Sequence, residues 1–362
     1  MKNIIFYLPN LASISTSESD FLSRLNLYAS YVAKLSDGQV SKVNFVSTTP
    51  TLGDSKYEYL TSHIVSRNLL IRFWQLARLL RKSSYPTTIV AGDNFGALLL
   101  SLLLRKLDRR TTVQSSIHGK LDTIWKEPGL KSLVKKLLLK RFIPCVDSLR
   151  LVDESEIAIA ENMFKLSSTK IFVAPVPIDL PHSVWNFLDR RPRIVAFVGR
   201  IHHERGILEW QQIAHKIAIQ DRDVKFIVVG NGPLEASMRK SLSPISTRVD
   251  FRGFLSKSEL AAVWKEVGLL LICAPSESYG MAAREALVNG VPVVARSNSA
   301  SEYLKFVSPN AVSTYNEIED AYPLILGKLD AELKREWFDD YLRMLKVQQE
   351  KSLTNLARSW LA

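Results

Sequence analysis

Two glutamates eight residues apart, Glu277 and Glu285, bracket the segment Ser278-Tyr279-Gly280-Met281-Ala282-Ala283-Arg284. A carboxylate accepts hydrogen bonds at both oxygens and so suits the hydroxyls of a sugar. The apolar run Leu269–Ile272 predicts a buried strand and Gly280–Val288 a helix, so the pair spans a strand-to-helix turn. The first N–H groups of a helix have no intrahelical acceptor and carry about half a positive charge. Those of Gly280, Met281 and Ala282 would therefore face an anion. Glu277 would reach out from the loop and Glu285 from the second helical turn. A structural alternative stays open, in which Glu285 is a solvated helix residue and Glu277 a partner for the helix N-terminus.

A second strand-loop-helix segment reads Phe197-Val198-Gly199-Arg200-Ile201-His202-His203-Glu204-Arg205-Gly206. Two guanidiniums five residues apart, beside a glycine that lets a ligand approach, suit the oxygens of a diphosphate, which planar Arg forks bind bidentately. A third, Val229-Gly230-Asn231-Gly232-Pro233, is again a strand end followed by a sharp turn. Each is ordinary alone; three at strand ends of one sheet describe an anion-binding edge. Metal chemistry has little support. Asp221-Arg222-Asp223 precedes a strand and reads as a solvated turn at the opposite edge, and His202-His203 has no third ligand nearby in sequence.

These segments need a scaffold of parallel strands with helices between them, and the chain alternates in that way. The expected strands are Ile4–Leu8, Val43–Ser47, Thr88–Ala91, Thr112–Ser115, Leu149–Val152 and Ile171–Ala174, then Ile194–Val198, Lys225–Val229, Leu269–Ile272 and Val291–Ala295. The expected helices are Phe21–Leu35, Leu69–Leu80, Ala97–Leu107, Leu130–Phe142, Ile207–Ile219, Ser256–Lys265 and Gly280–Val288. Residues 175–193 hold Pro175, Pro177, Pro181 and Pro192 and read as a linker. The expectation is α/β: two doubly wound domains facing a central cleft, spanning 1–175 and 194–337, with a C-terminal helix near 338–362 packing back on the first.

With 362 residues the chain suits about two domains. Its 46% hydrophobic content excludes disorder and fibrous classes. Cys145 and Cys273 sit in apolar runs and make no disulfide framework, which fits a reducing compartment. Neither Phe95–Leu104 nor Val267–Pro275 reaches the roughly 18 residues of a membrane span. The apolar run at the N-terminus is too short for a signal peptide. The net charge is +12, and residues 61–150 alone hold 17 basic and 5 acidic residues, so the whole excess is regional. That suggests a polyanionic partner: nucleic acid, an anionic membrane or a phosphate-rich substrate.

The ordered series Val198-Gly199-Arg200…Arg205-Gly206, Val229-Gly230-Asn231-Gly232-Pro233, Phe251-Arg252-Gly253, Pro275-Ser276-Glu277…Glu285-Ala286 and Gly290-Val291-Pro292-Val293-Val294 resembles the C-terminal domain of family-4 retaining glycosyltransferases of the GT-B fold. It covers about residues 194–295; the first half matches only in general pattern. The resemblance implies sugar transfer with retained configuration from a nucleotide-diphosphate sugar, with no metal and no other cofactor. Arg200 and Arg205 would neutralise the donor diphosphate, although the second position is usually Lys in the family. Glu277 would contact the transferred sugar and Glu285 the nucleotide ribose. Gly199, Gly230, Asn231 and the Ser278–Ala282 backbone would line the donor, and Gly253 and Phe254 would lie near its base. The stretch Val173–Asp179 resembles the family's interdomain segment without its usual Asn-Gly. The loop Asn10–Glu18 lacks the glycines that often close on the phosphates. His118, after the strand Thr112–Ser115, resembles a His lining the catalytic cleft, with a structural role as the alternative. Asp93 is read as a helix cap before an acceptor contact.

In Leu130–Phe142, helical periodicity places Leu130, Leu133, Val134, Leu137 and Leu138 on one face and Lys131, Lys135, Lys136 and Lys140 off it. The face either packs on the sheet or lies in an anionic membrane interface. Regional charge favours the membrane. The expected acceptor is a cell-envelope glycan or lipid-linked glycan, with the enzyme cytoplasmic, peripheral at the membrane and not a nucleic-acid binder. The competing reading is a basic membrane- or nucleic-acid-binding protein with a decayed site.

Overall fold

Short runs of β-branched and aliphatic residues become parallel strands, and the longer amphipathic stretches between them become the crossovers. The computed structural model describes residues 2–10, 18–49, 57–93, 95–118, 121, 129–180 and 192–362. The chain divides into two units, Met1–Pro177 with Gln348–Ala362, and Ile178–Val347.

The first unit runs β1 (Asn3–Tyr7), α1 (Glu18–Leu35), β2 (Val43–Ser47), β3 (Leu60–Ile64), α2 (Leu69–Lys82), β4 (Thr87–Ala91), α3 (Gly96–Arg105), β5 (Thr111–Ile117), α4 (Leu130–Phe142), β6 (Ser148–Leu151), α5 (Ile157–Phe164) and β7 (Ile171–Val173). Its seven strands lie in the order β3-β2-β1-β4-β5-β6-β7, every neighbour parallel. Such a sheet is covered on both faces, which is why Thr87–Ala91 is buried at every position. Ile5, Ile89, Val113 and Leu149 pack under α2, α3 and α4 on one face. Ile4, Phe45 and Val90 pack against α1 on the other.

The second unit runs β8 (Ile194–Val198), α6 (Ile207–Gln220), β9 (Lys225–Val229), α7 (Glu235–Ser241), β10 (Val249–Gly253), α8 (Lys257–Val263), β11 (Leu269–Ile272), α9 (Met281–Val288), β12 (Val293–Arg296), α10 (Ser299–Val307), β13 (Val312–Tyr315) and α11 (Ile318–Asp330). Its order is β10-β9-β8-β11-β12-β13, again all parallel, in register from Ile194↔Lys225 to Val198↔Val229 between β8 and β9. In both sheets the order reverses beside the unit's first strand, between β1 and β4 and between β8 and β11. Open α/β sheets bind ligands beyond the carboxyl ends at such a reversal.

One last helix, α12 (Glu336–Leu361), contributes to both cores. Phe338, Tyr341 and Leu345 pack in the second unit. Leu353, Leu356 and Trp360 pack in the first, where Trp360 meets Phe6 and Tyr28. Among the described residues no helix is long and apolar enough to cross a membrane. The expected strand Val291–Ala295 begins at Val293, because Pro292 has no N–H to donate.

Candidate functional site

The loops beyond β8, β9 and β10 interlock through their backbones. The Gly199 N–H donates to Val229 O at 3.0 Å, Ile201 N–H to Asn231 O at 2.9 Å and Gly230 N–H to Gly253 O at 2.7 Å. Gly230 has φ +123°, and a Cβ there would lie 1.9 Å from Gly199 O. Gly206 has φ +66°, and a Cβ there would lie 2.0 Å from Cys273 O, which seats the start of α6 directly on the end of β11. Only glycine permits both the positive φ and the backbone contact. The two segments that the chain separates by about seventy residues are thus fixed side by side.

On this seat Arg205 donates from Nη1 to Glu277 Oε2 at 2.5 Å, with the Glu277 side chain 17% exposed and that of Arg205 36%. Arg200 is exposed and pairs instead with Glu204 at 2.8 Å. The two arginines therefore do not form a bare cationic pair. Each already holds a carboxylate: Arg200 that of Glu204, four residues on, and Arg205 that of Glu277, 72 positions away and not indicated by local spacing. Gly280, at φ +72°, ψ +51°, caps α9 without a side-chain bond, so the first N–H groups of the helix lack intrahelical acceptors. Ser278, Met281, Ala282 and Glu285 are half-buried around that turn, and Tyr279 is buried. Asn231 and Phe254 are exposed.

Arg284, also buried, lies one turn into α9. Its Nε donates to Tyr279 O at 2.9 Å and its guanidinium sits 3.8 Å from the Tyr279 ring centroid. Its Nη1 reaches the Tyr341 hydroxyl of α12 at 3.4 Å. Arg284 thereby locks the turn that precedes Gly280. A small recess lies beside Glu277 and Gly280, with Ile272, Ala283, Asn298 and Ala300 in its walls. Asn298 caps α10 and donates to Ala274 O at 3.1 Å, tying the β12 loop to the β11 loop.

Beneath the edge, Glu209 of α6 accepts from the Tyr315 hydroxyl at 2.7 Å and pairs with Arg296, while Tyr315 meets Cys273 Sγ at 3.2 Å. Burial pushes both the Cys273 thiol and the Tyr315 phenol up, so both stay protonated at neutral pH. The cluster joins residues up to 106 positions apart, and no local sequence signal could have revealed it.

In the first unit His118 follows β5; the residue as a whole is exposed, while its imidazole is crowded by the surrounding protein. Desolvation, then the positive charges of Arg150 and Arg24, push its imidazole down to about 3. Asp93 accepts from Phe95 and Ala97 N–H groups at 2.8 and 3.1 Å and so caps the start of α3. The first loop, Gly119 and the Lys131 side chain lie outside the described residues. In α4, Lys135 lies 5.9 Å from the Phe95 ring centroid, and Lys135 and Lys140 are exposed with Lys136 half-buried. Its leucine face does not pack on the sheet: Leu130, Leu133, Val134, Leu137 and Leu138 are all exposed, while Ser132 and Leu139 are buried. Asp221 is engaged by Arg193, before β9 and thus at the opposite edge from the loops. Among the described residues no three metal-ligating side chains converge.

Residues 185–311 match the family model for glycosyl transferases group 1. The chain is similar to the 2-deoxystreptamine glucosyltransferase of Streptomyces kanamyceticus, 32% identical over 158 residues, 41% of each chain. The match thus spans less than half the length of that relative. It is also similar to an N-acetyl-D-galactosaminyltransferase of Campylobacter jejuni whose name specifies an undecaprenol-diphosphate-linked glycan, 22% identical over 258 residues, 70% of this chain and 67% of that one. The crystal structure of HepE from Anabaena with UDP and glucose superposes at TM-score 0.66, with 13% identity, 98% of this chain and 97% of that one. The architecture is accordingly the two-sheet α/β fold of the GT-B glycosyltransferases.

Proposed function

We propose that the protein is a retaining glycosyltransferase that moves a sugar from a nucleotide-diphosphate donor to a cell-envelope or lipid-linked glycan. The observation that carries the reading is the Arg205–Glu277 pair seated beside the open N-terminus of α9 at the strand reversal of the second sheet. A sugar diphosphate needs acceptors for its hydroxyls and positive charge for its leaving oxygens, and this edge holds both. Arg205, Arg200 and the α9 N–H groups would stabilise the charge that develops on the departing diphosphate, in place of a metal. Glu277 would orient the transferred sugar and Glu285 the ribose, with Gly199, Gly230 and Gly253 leaving room for the donor. His118, neutral at working pH, would serve the acceptor side. The match to group 1 transferases and the relatives' printed activities support the class. The acceptor reading leans on the regional charge and on the exposed leucines and lysines of α4, which suit an anionic membrane surface better than nucleic acid.

Thermal shift with UDP, GDP and ADP tests the donor site: one should stabilise the protein selectively, and Arg205→Ala should abolish the shift. No shift with any of the three, in a folded protein, overturns the reading.

A further inference from the structure

The first turn of α6 carries a charge of the wrong sign for its place. Glu209 stands there, four positions after Arg205, beside the edge read above as a diphosphate site. A carboxylate gains from the dipole at a helix N-terminus. Left loose, it would also compete with a donor for the positive groups of that edge. Both of its oxygens are instead held. Oε1 accepts from the Tyr315 hydroxyl at 2.7 Å and Oε2 pairs with Arg296, leaving the side chain only 11% exposed.

These partners come from three strand ends of one sheet. Cys273 follows β11, Arg296 closes β12 and Tyr315 closes β13, the last two being neighbours in the strand register. The Tyr315 hydroxyl has a single proton, and a carboxylate only accepts. That proton therefore points at Glu209, and the Cys273 thiol, 3.2 Å away, donates to the phenol oxygen. The direction of the chain is fixed: thiol to phenol, phenol to carboxylate. Cys273 also supplies the carbonyl against which Gly206 is packed, so the chain leads back to the residue beside Arg205. Arg205 itself is bonded to Glu277, not to Glu209.

We propose that Tyr315 and Arg296 are positioning residues for sugar transfer. Tyr315 holds the Glu209 carboxylate beneath the edge and Arg296 balances its charge, so that Arg205 and the α9 N–H groups stay available to the donor diphosphate. This rests on the transfer reading above and adds what that site has to keep away.

The test is a double-mutant cycle in the full chain, read as affinity for whichever of UDP, GDP and ADP binds wild type. Tyr315→Phe removes one hydrogen bond to a carboxylate and should weaken that affinity about tenfold. Glu209→Gln should bind at least as well as wild type, and Glu209→Gln/Tyr315→Phe should recover wild-type affinity. A cluster that only stabilises the fold would lower the melting temperature of all three variants, most in the double, without any rescue of affinity. That result overturns the proposal, as does a Tyr315→Phe that binds like wild type. Arg296→Met, at a partly exposed site, repeats the cycle without disturbing the core. It should also bind more weakly and be rescued by Glu209→Gln, and failure of that rescue overturns the proposal equally. A wild type that binds none of the three nucleotides would instead refute the transfer reading, and this proposal with it.

Discussion

Arg205 and Glu277 are each other's partners across the carboxyl edge of the second sheet, Nη1 to Oε2 at 2.5 Å, although 72 positions separate them. A diphosphate arriving at this edge has to share Arg205 with Glu277, and a sugar hydroxyl has to share Glu277 with Arg205. The pair is partly solvated, so its own contribution to stability is at most about 1 kcal/mol. Glu277→Gln should therefore leave the melting temperature within a few degrees while lowering transfer about 100- to 1000-fold. Initial rates with a matched donor and acceptor check this; near-normal turnover would remove Glu277 from the site.

The seat beneath that pair gives a second expectation. Gly206→Ala puts a methyl group 2.0 Å from Cys273 O at a backbone with φ +66°. The cost should be about 2–4 kcal/mol. Gly327→Ala, inside α11 with no atom within 4 Å of the added Cβ, should instead be neutral or stabilise by about 0.5–1 kcal/mol. Denaturant unfolding of both variants separates the local clash from a general intolerance of substitution.

Arg284 should act on the donor through Tyr279. Arg284→Met removes the bond to the Tyr279 carbonyl and the stacked guanidinium, at about 2 kcal/mol of stability. The turn before Gly280 would lose its lock, so donor KM should rise more than kcat falls. Arg284→Lys keeps the charge without the planar fork and should restore stability better than KM. Equal effects on both kinetic constants would count against a positioning role.

The imidazole of His118 gives a pH signature. Its pKa is about 3 in the folded chain against 6.5 for the free side chain. Between these values the unfolded state binds more protons, so the contribution is complete above pH 6.5 and is lost as pH falls toward 3. His118→Gln should flatten the stability profile over that window. The wild-type rate profile should show no limb near 6.5 from this residue.

Turnover should survive excess chelator, because the positive charge assigned to the diphosphate comes from guanidiniums and N–H groups. A strict, reversible requirement for Mg²⁺ or Mn²⁺ would refute that assignment.

What the sequence reveals follows burial. Strands β8, β9 and β11 have the boundaries their apolar runs predict, since each lies between two neighbours with both faces covered. The strands without a sequence signal, β3, β10 and β13, are all edge strands. Leu-Thr-Ser-His-Ile and Val-Asp-Phe-Arg-Gly carry polar residues because one side meets water, and so they read as loops. In α4 the helix boundaries match, but which face turns inward depends on neighbours that periodicity does not name. At the site, the glycines and glutamates announce themselves by spacing. Asn298 and the Glu209–Tyr315–Cys273 cluster act only through tertiary neighbours, and nothing local marks them.

The continuity of α12 bears on the order in which the protein is made. The first unit's core needs Leu353, Leu356 and Trp360, and Ser148 on β6 donates to the Ser359 carbonyl at 2.6 Å. The second unit needs nothing beyond Val347. During synthesis, which delivers about 5–20 residues each second, the unit begun first must wait for residues beyond 350 before its sheet is fully covered. The unit begun second can complete its core earlier. Folding order on the ribosome should then run against chain order, and the apolar face left open in the interval is the one that α12 finally closes.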